Sequence, residues 1–104
     1  MIAYASILGA AILMPAQITE KTVKTDYLAC NPERQFVRAE QLRTSGDTRA
    51  LQEFTTSALL SGTCISLKNG EKLFVLGSGK GSGIIRIRPK GSFKTFFTSE
   101  MAFQ

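Results

Sequence analysis

Two cysteines, Cys30 and Cys64, stand on either side of a segment whose spacing predicts a pair of helices, and the chain has no others. At 104 residues the chain is one domain near the size at which a single apolar core is only marginally sufficient. A covalent staple is therefore valuable. Joining the two cysteines closes a loop of about thirty-five residues and contributes about 4 kcal/mol in the chain-entropy account of cross-links. The alternative is a pair of buried free thiols in a cytoplasmic protein.

The N-terminus points to the disulfide, because it points to export. Residues 1–16, MIAYASILGAAILMPA, form an uncharged apolar run too short for a comfortable membrane span. The run ends at the helix breaker Pro15 and the small Ala16, as the apolar region of a secretory signal peptide does. Two features depart from that pattern: no Lys or Arg precedes the run, and Met14 is bulky for the position three before a cut after Ala16. A buried N-terminal helix and an uncleaved anchor are the alternatives. On the export reading, residues 17–29 are a polar leader in which Val23 to Cys30 can pair as an edge strand, residues 30–104 are a single domain, and the mature chain has no stable membrane span.

Asn31-Pro32-Glu33 predicts a helix start, with Asn31 as cap, Pro32 at the first helical position and an acid near the positive end of the dipole. Phe36, Ala39 and Leu42 then form a narrow apolar stripe. Ser45-Gly46-Asp47 ends this helix and caps a second, from Thr48 to Ser61, which stops at Gly62. In that helix Leu51, Phe54, Ala58 and Leu59 share one face.

The last third of the chain predicts short strands. Thr63 to Leu67 alternates, Asn69-Gly70 is a turn signal, and Leu73 to Leu76 reads as a strand covered on both faces. Gly77 to Gly83 has almost no side chain to bury and predicts a mobile loop. Strands follow at Ile84–Arg88 and Phe93–Thr98. The preferred register places Pro89 and Lys90 in a type I turn with Gly91 left-handed in a bulge. Arg88 then pairs with Ser92, Ile87 with Phe93 and Ile85 with Thr95. This collects Ile85, Ile87, Phe93 and Phe97 inside, with Arg86 opposite Lys94 and Phe96 outside.

The order Leu67-Lys68-Asn69-Gly70-Glu71-Lys72-Leu73-Phe74-Val75-Leu76, then Gly83-Ile84-Ile85-Arg86-Ile87-Arg88, Gly91 and Phe96-Phe97-Thr98-Ser99-Glu100-Met101, resembles the C-terminal part of bacterial Src-homology-3-like domains. The resemblance covers less than half of the chain. That family's usual first strand and long first loop are replaced by helices, and Phe stands where tryptophans are often seen. The resemblance implies an α+β fold in which a two-helix hairpin, covering the open end, precedes a small antiparallel Src-homology-3-like β-barrel. The layout of cysteine, two helices around Ser-Gly-Asp, Gly-x-Cys and then strands is also similar to that of small exported bacterial proteins.

The chain's net charge of +5 is unevenly placed. Residues 17–63 balance six basic against six acidic side chains, whereas residues 64–104 hold seven basic and two acidic. Such a half-chain is drawn to polyanions, unless the charge serves only as a solvated surface.

Histidine is absent, which removes the usual triads and most catalytic zinc sites. The carboxylates are scattered and suggest no acid–base pair. Lys80 in the glycine loop is followed by Gly81 rather than the Ser or Thr of a phosphate-binding loop. These features predict a non-enzymatic, cofactor-free and metal-free binding module, periplasmic or secreted. Its binding face is Arg86, Arg88, Lys94, Lys90 and Phe96, and its partner a cell-envelope polymer or envelope protein. The competing readings are a cytoplasmic barrel that binds nucleic acid, and an inhibitor of a secreted enzyme that offers the glycine loop as a plug.

Overall fold

The structure, a computed structural model, describes residues 18–104; the expected signal peptide at 1–16 lies outside the described residues. The fold is α+β. Strands β1 (Thr19–Thr22) and β2 (Tyr27–Cys30) precede helices α1 (Glu33–Thr44) and α2 (Thr48–Ser61). Strands β3 (Cys64–Leu67), β4 (Lys72–Ser78), β5 (Ile84–Pro89) and β6 (Phe96–Ser99) follow, with a closing 3-10 turn at Glu100–Phe103. The strands form one antiparallel sheet in the order β1-β4-β5-β6-β2-β3. It is not closed, and β1 and β3 are its edges. The helices interrupt the run of strands instead of preceding it. The segment read as a leader with an edge strand supplies both β1 and the interior strand β2.

Alternation along the strands builds two apolar layers on opposite faces of the sheet. Ala29, Leu67, Leu73, Ile87 and Phe96 join Val23 in one layer, with Ile65, Val75, Ile85 and Phe103 packed against them. Their chain neighbours Leu28, Cys30, Ile84 and Phe97 point the other way, into a second layer with Phe36, Phe54, Ala58 and Cys64. The helices therefore cover the sheet's outer side over β2, β3 and β6, not an open end. Cys30 and Cys64 are cross-strand partners in β2 and β3 and form the disulfide at the centre of this second layer.

Helix α2 begins and ends where its sequence says. Asp47 accepts a 3.1 Å hydrogen bond from the Ala50 N–H, and Gly62 takes the left-handed φ of 81° that closes the helix. Its buried stripe runs through Ala58, with Leu51 and Phe54 half-buried; Leu59, expected on that face, is exposed. Helix α1 differs from expectation at its start. Pro32 is the residue before the helix, no side chain caps it, and the Asn31 amide instead donates to the Thr95 carbonyl at 2.9 Å.

The register of the last hairpin also differs. Ile87 pairs with Phe96, Arg86 with Phe97 and Ile85 with Thr98, so Arg86 does not face Lys94. The turn closes at Pro89–Ser92, with the Ser92 N–H donating to the Pro89 carbonyl at 3.2 Å and Gly91 at φ 81°. Residues 93–95 then stay outside the ladder, because the Ser92 hydroxyl takes the Lys94 N–H and Asn31 holds Thr95. An odd shift of register reverses the face of every side chain. Phe96 is consequently buried and Phe93 is the exposed one, the opposite of the sequence expectation.

Candidate functional site

Helices cover only part of the sheet's outer side. Over β1, β4 and β5 that side carries a row of cross-strand neighbours, Glu20, Phe74 and Arg88. The Arg88 guanidinium lies 4.8 Å from the Phe74 ring centre and the Lys90 ammonium 5.7 Å from it. Arg88 also donates to the Ser92 carbonyl at 3.0 Å, and Lys90 forms a 3.1 Å ion pair with Glu20. Half-exposed contacts of this kind each contribute about 0–1 kcal/mol. Their larger effect is to fix two flexible cations over an aromatic ring.

Arg86 follows at the next outward position of β5 and is exposed, as is Lys72 two residues before Phe74. Arg86, Arg88 and Lys90 thus share one surface. Lys94 is exposed in the loop after the turn, and Phe96 belongs to the core and contributes nothing to the surface. The aromatic ring found beside Arg88 and Lys90 is that of Phe74. That residue was hidden in the sequence because Leu73 to Leu76 has no polar break; the signal that could have found it is a charged cross-strand partner, which requires the register.

The glycine loop, expected to be mobile, is tied to α1 at two points. The backbone N–H groups of Lys80 and Gly81 donate to the two Glu33 carboxylate oxygens at 3.0 and 2.9 Å. These bonds, Lys80 first and Gly81 second, hold the Glu33 carboxyl below the usual glutamate range. Successive N–H groups that converge on an anion form the kind of nest that glycine loops make, and here the anion is the protein's own.

On the other side of α1, a cleft of about 390 Å³ runs between the helix and the closing turn, lined by Tyr27, Phe36, Val37, Ile84 and Met101 together with Glu40 and Arg43. Burial, and then a hydrogen bond with Glu40, raise the Tyr27 hydroxyl above the ordinary phenol range. The Arg43 guanidinium is raised chiefly by its own hydrogen bonds to Glu40. A phenol that keeps its proton beside a guanidinium already paired to a carboxylate makes a hydrogen-bonding wall.

Among the described residues no group of three or more His, Cys, Asp or Glu is placed to hold a metal ion. No helix among them is long and apolar enough to cross a membrane. Comparison with protein-family models, with curated proteins and with solved structures finds no match.

Proposed function

We propose that this chain is a non-enzymatic exported binding module, periplasmic or secreted, that holds a cell-envelope polymer or envelope protein on the outer face of β4 and β5. The observation that carries the reading is the pair of cations fixed over Phe74, Arg88 at 4.8 Å and Lys90 at 5.7 Å, on the part of the sheet that α1 and α2 leave uncovered. Arg86 and Lys94 extend the face. A guanidinium oriented in advance loses little freedom when it meets a carboxylate or phosphate, which it can grip with two hydrogen bonds. The buried disulfide and the lack of a membrane-crossing helix among the described residues are compatible with the exported address.

The Src-homology-3-like reading belongs to the same proposal. It draws support from the meander β4-β5-β6, the return of β6 onto β2 and the 3-10 turn that follows. The helical pair between β2 and β3 stands where that family has its long first loop. Two observations weigh against the competing readings: the oxidised cysteine pair does not suit a cytoplasmic nucleic-acid binder, and a glycine loop committed to Glu33 is a poor plug for another enzyme's site.

The test is co-sedimentation with purified peptidoglycan and with a crude envelope extract. The wild-type chain is retained, and the triple variant Arg86→Gln, Arg88→Gln, Lys94→Gln is lost to the supernatant. Equal retention of the two proteins defeats the proposal.

A further inference from the structure

Phe93 is 99% exposed, more than the other large apolar side chains found at the described surface, including Leu60 at 85%. A single exposed apolar residue needs no account by itself, and Leu60, set among Gln52, Glu53, Thr56 and Ser57, is such a case. The setting of Phe93 is different. Its loop is anchored on both sides: the Arg88 guanidinium and the Lys94 N–H both bind Ser92 at 3.0 Å, and the Asn31 amide binds Thr95 at 2.9 Å. The ring is therefore held out in water by a tied loop, with no apolar neighbour among the described residues to cover it.

The charges around it are mostly of one sign. Lys90 and Lys94 flank Phe93 in the loop, Arg88 holds the carbonyl of Ser92 just before it, and Lys72 stands at the adjoining end of β4, where Leu73 pairs with Pro89. The carboxylate found within this group is that of Glu20, spent on Lys90; Glu71, beside Lys72, accepts the Lys68 N–H instead. A wall polymer would engage the cations and leave the ring wet. An aromatic side chain surrounded by lysines fits a surface that is anionic outside and apolar just beneath, which is the interface of a lipid bilayer.

We propose that the loop Pro89–Thr95 is a peripheral membrane contact, in which Phe93 enters the interfacial layer of a bilayer rich in anionic lipid while Lys90 and Lys94 meet the headgroups. This goes beyond the polymer-binding face: Lys90 and Lys94 are shared with that face, but Phe93 is no part of it, and entry of its ring into a bilayer is a different chemistry.

The chain contains no tryptophan, so Phe93→Trp in the full chain gives a single indole reporter at the tip of the loop. The apolar run 1–16 is present in every variant, so any affinity of its own is the same background in each comparison. On addition of phosphatidylglycerol-containing vesicles the indole emission moves to shorter wavelength and is quenched by brominated acyl chains. Phosphatidylcholine vesicles have little effect. Replacing Lys94 by Gln weakens the response about fivefold and Lys90→Gln acts alike, the change expected for one cation near an anionic surface. Co-sedimentation of the Phe93→Ser chain with the same vesicles falls roughly tenfold, by loss of ring burial. An unshifted, unquenched indole overturns the proposal whether or not the protein sediments with the vesicles. Equal shifts in neutral and anionic vesicles overturn it too.

Discussion

Glu33 in the first turn of α1 and Gly81 in the loop between β4 and β5 are joined by a 2.9 Å hydrogen bond across 48 positions of sequence. With the companion bond from Lys80, this carboxylate turns a glycine-rich hairpin loop into a fixed strap against the helix.

The strap has a pH dependence of known sign. Folding lowers the Glu33 pKa, so the ionised carboxylate contributes stability at pH values above the ordinary glutamate range, and that contribution disappears as pH falls through the lowered folded value. The Lys80 and Gly81 amides are expected to stay protected from hydrogen exchange at neutral pH and to lose protection as pH falls below the ordinary glutamate range. Glu33→Gln produces the unprotected loop already at neutral pH, because one acceptor oxygen becomes a donor. Equal protection in the two proteins at neutral pH would refute the assignment.

The same strap helps to explain why Gly79 resists substitution, whereas the near neighbour of Gly81 is the flexible tip of Ile84. A Cβ at Gly79 would sit 2.7 Å from Glu33 Oε2 and 2.8 Å from Ile84 Cγ2, and one at Gly81 would sit 2.7 Å from Ile84 Cδ1. Gly79→Ala is expected to destabilise by about 1–3 kcal/mol through overpacking. Gly91→Ala meets no atom within 4 Å and acts only through its φ of 81°, with a penalty of about 1–2 kcal/mol. Combining Glu33→Ala with Gly79→Ala relieves part of the clash at that position, whereas combining it with Gly81→Ala leaves the contact with Ile84 in place. Urea midpoints of the two double variants distinguish them.

The sequence made the local elements legible and left the long-range ones hidden. Asp47 and Gly62 mark the ends of α2 because a cap and a left-handed stop are local chemistry. The outward role of Phe74 and the inward role of Phe96 depend on strand register, and register was set here by Ser92 and by Asn31, a residue far back in the chain. The glycine loop looked mobile for the same reason: its partner Glu33 lies on another element. Basic residues at 86, 88 and 90 were legible as a charge excess, but the aromatic that Arg88 and Lys90 share was not.

Opposite outcomes at two phenylalanines test the register. Phe96 is 4% exposed in the layer with Leu67, Leu73 and Ile87, so Phe96→Ala is expected to lower stability by about 3–5 kcal/mol. Phe93→Ala removes a ring that touches little and stays within about 0.5 kcal/mol of the wild type. Denaturant unfolding of the two variants gives the answer directly, and the reverse order would restore the register in which Ile87 faces Phe93.

Removing the cross-link while keeping the sulfur atoms isolates its contribution. Cys30 and Cys64 face each other across β2 and β3, with Cα atoms 4.0 Å apart, and both are buried under the helices. Replacing them by alanine would mix loss of the bond with loss of packing, so the cleaner comparison is the oxidised against the reduced wild-type chain. Because the ladder already holds the two strands in the native state, the bond acts mainly on the unfolded chain, where it closes a long loop. Reduction is expected to lower unfolding free energy by about 4 kcal/mol. In a domain whose total stability is of the order of 5–15 kcal/mol this is a large fraction. The reduced chain should therefore melt well below the oxidised one, with near-native circular dichroism at low temperature. Coincident melting curves would mean that packing of the second layer, and not the bond, fixes the helical pair to the sheet.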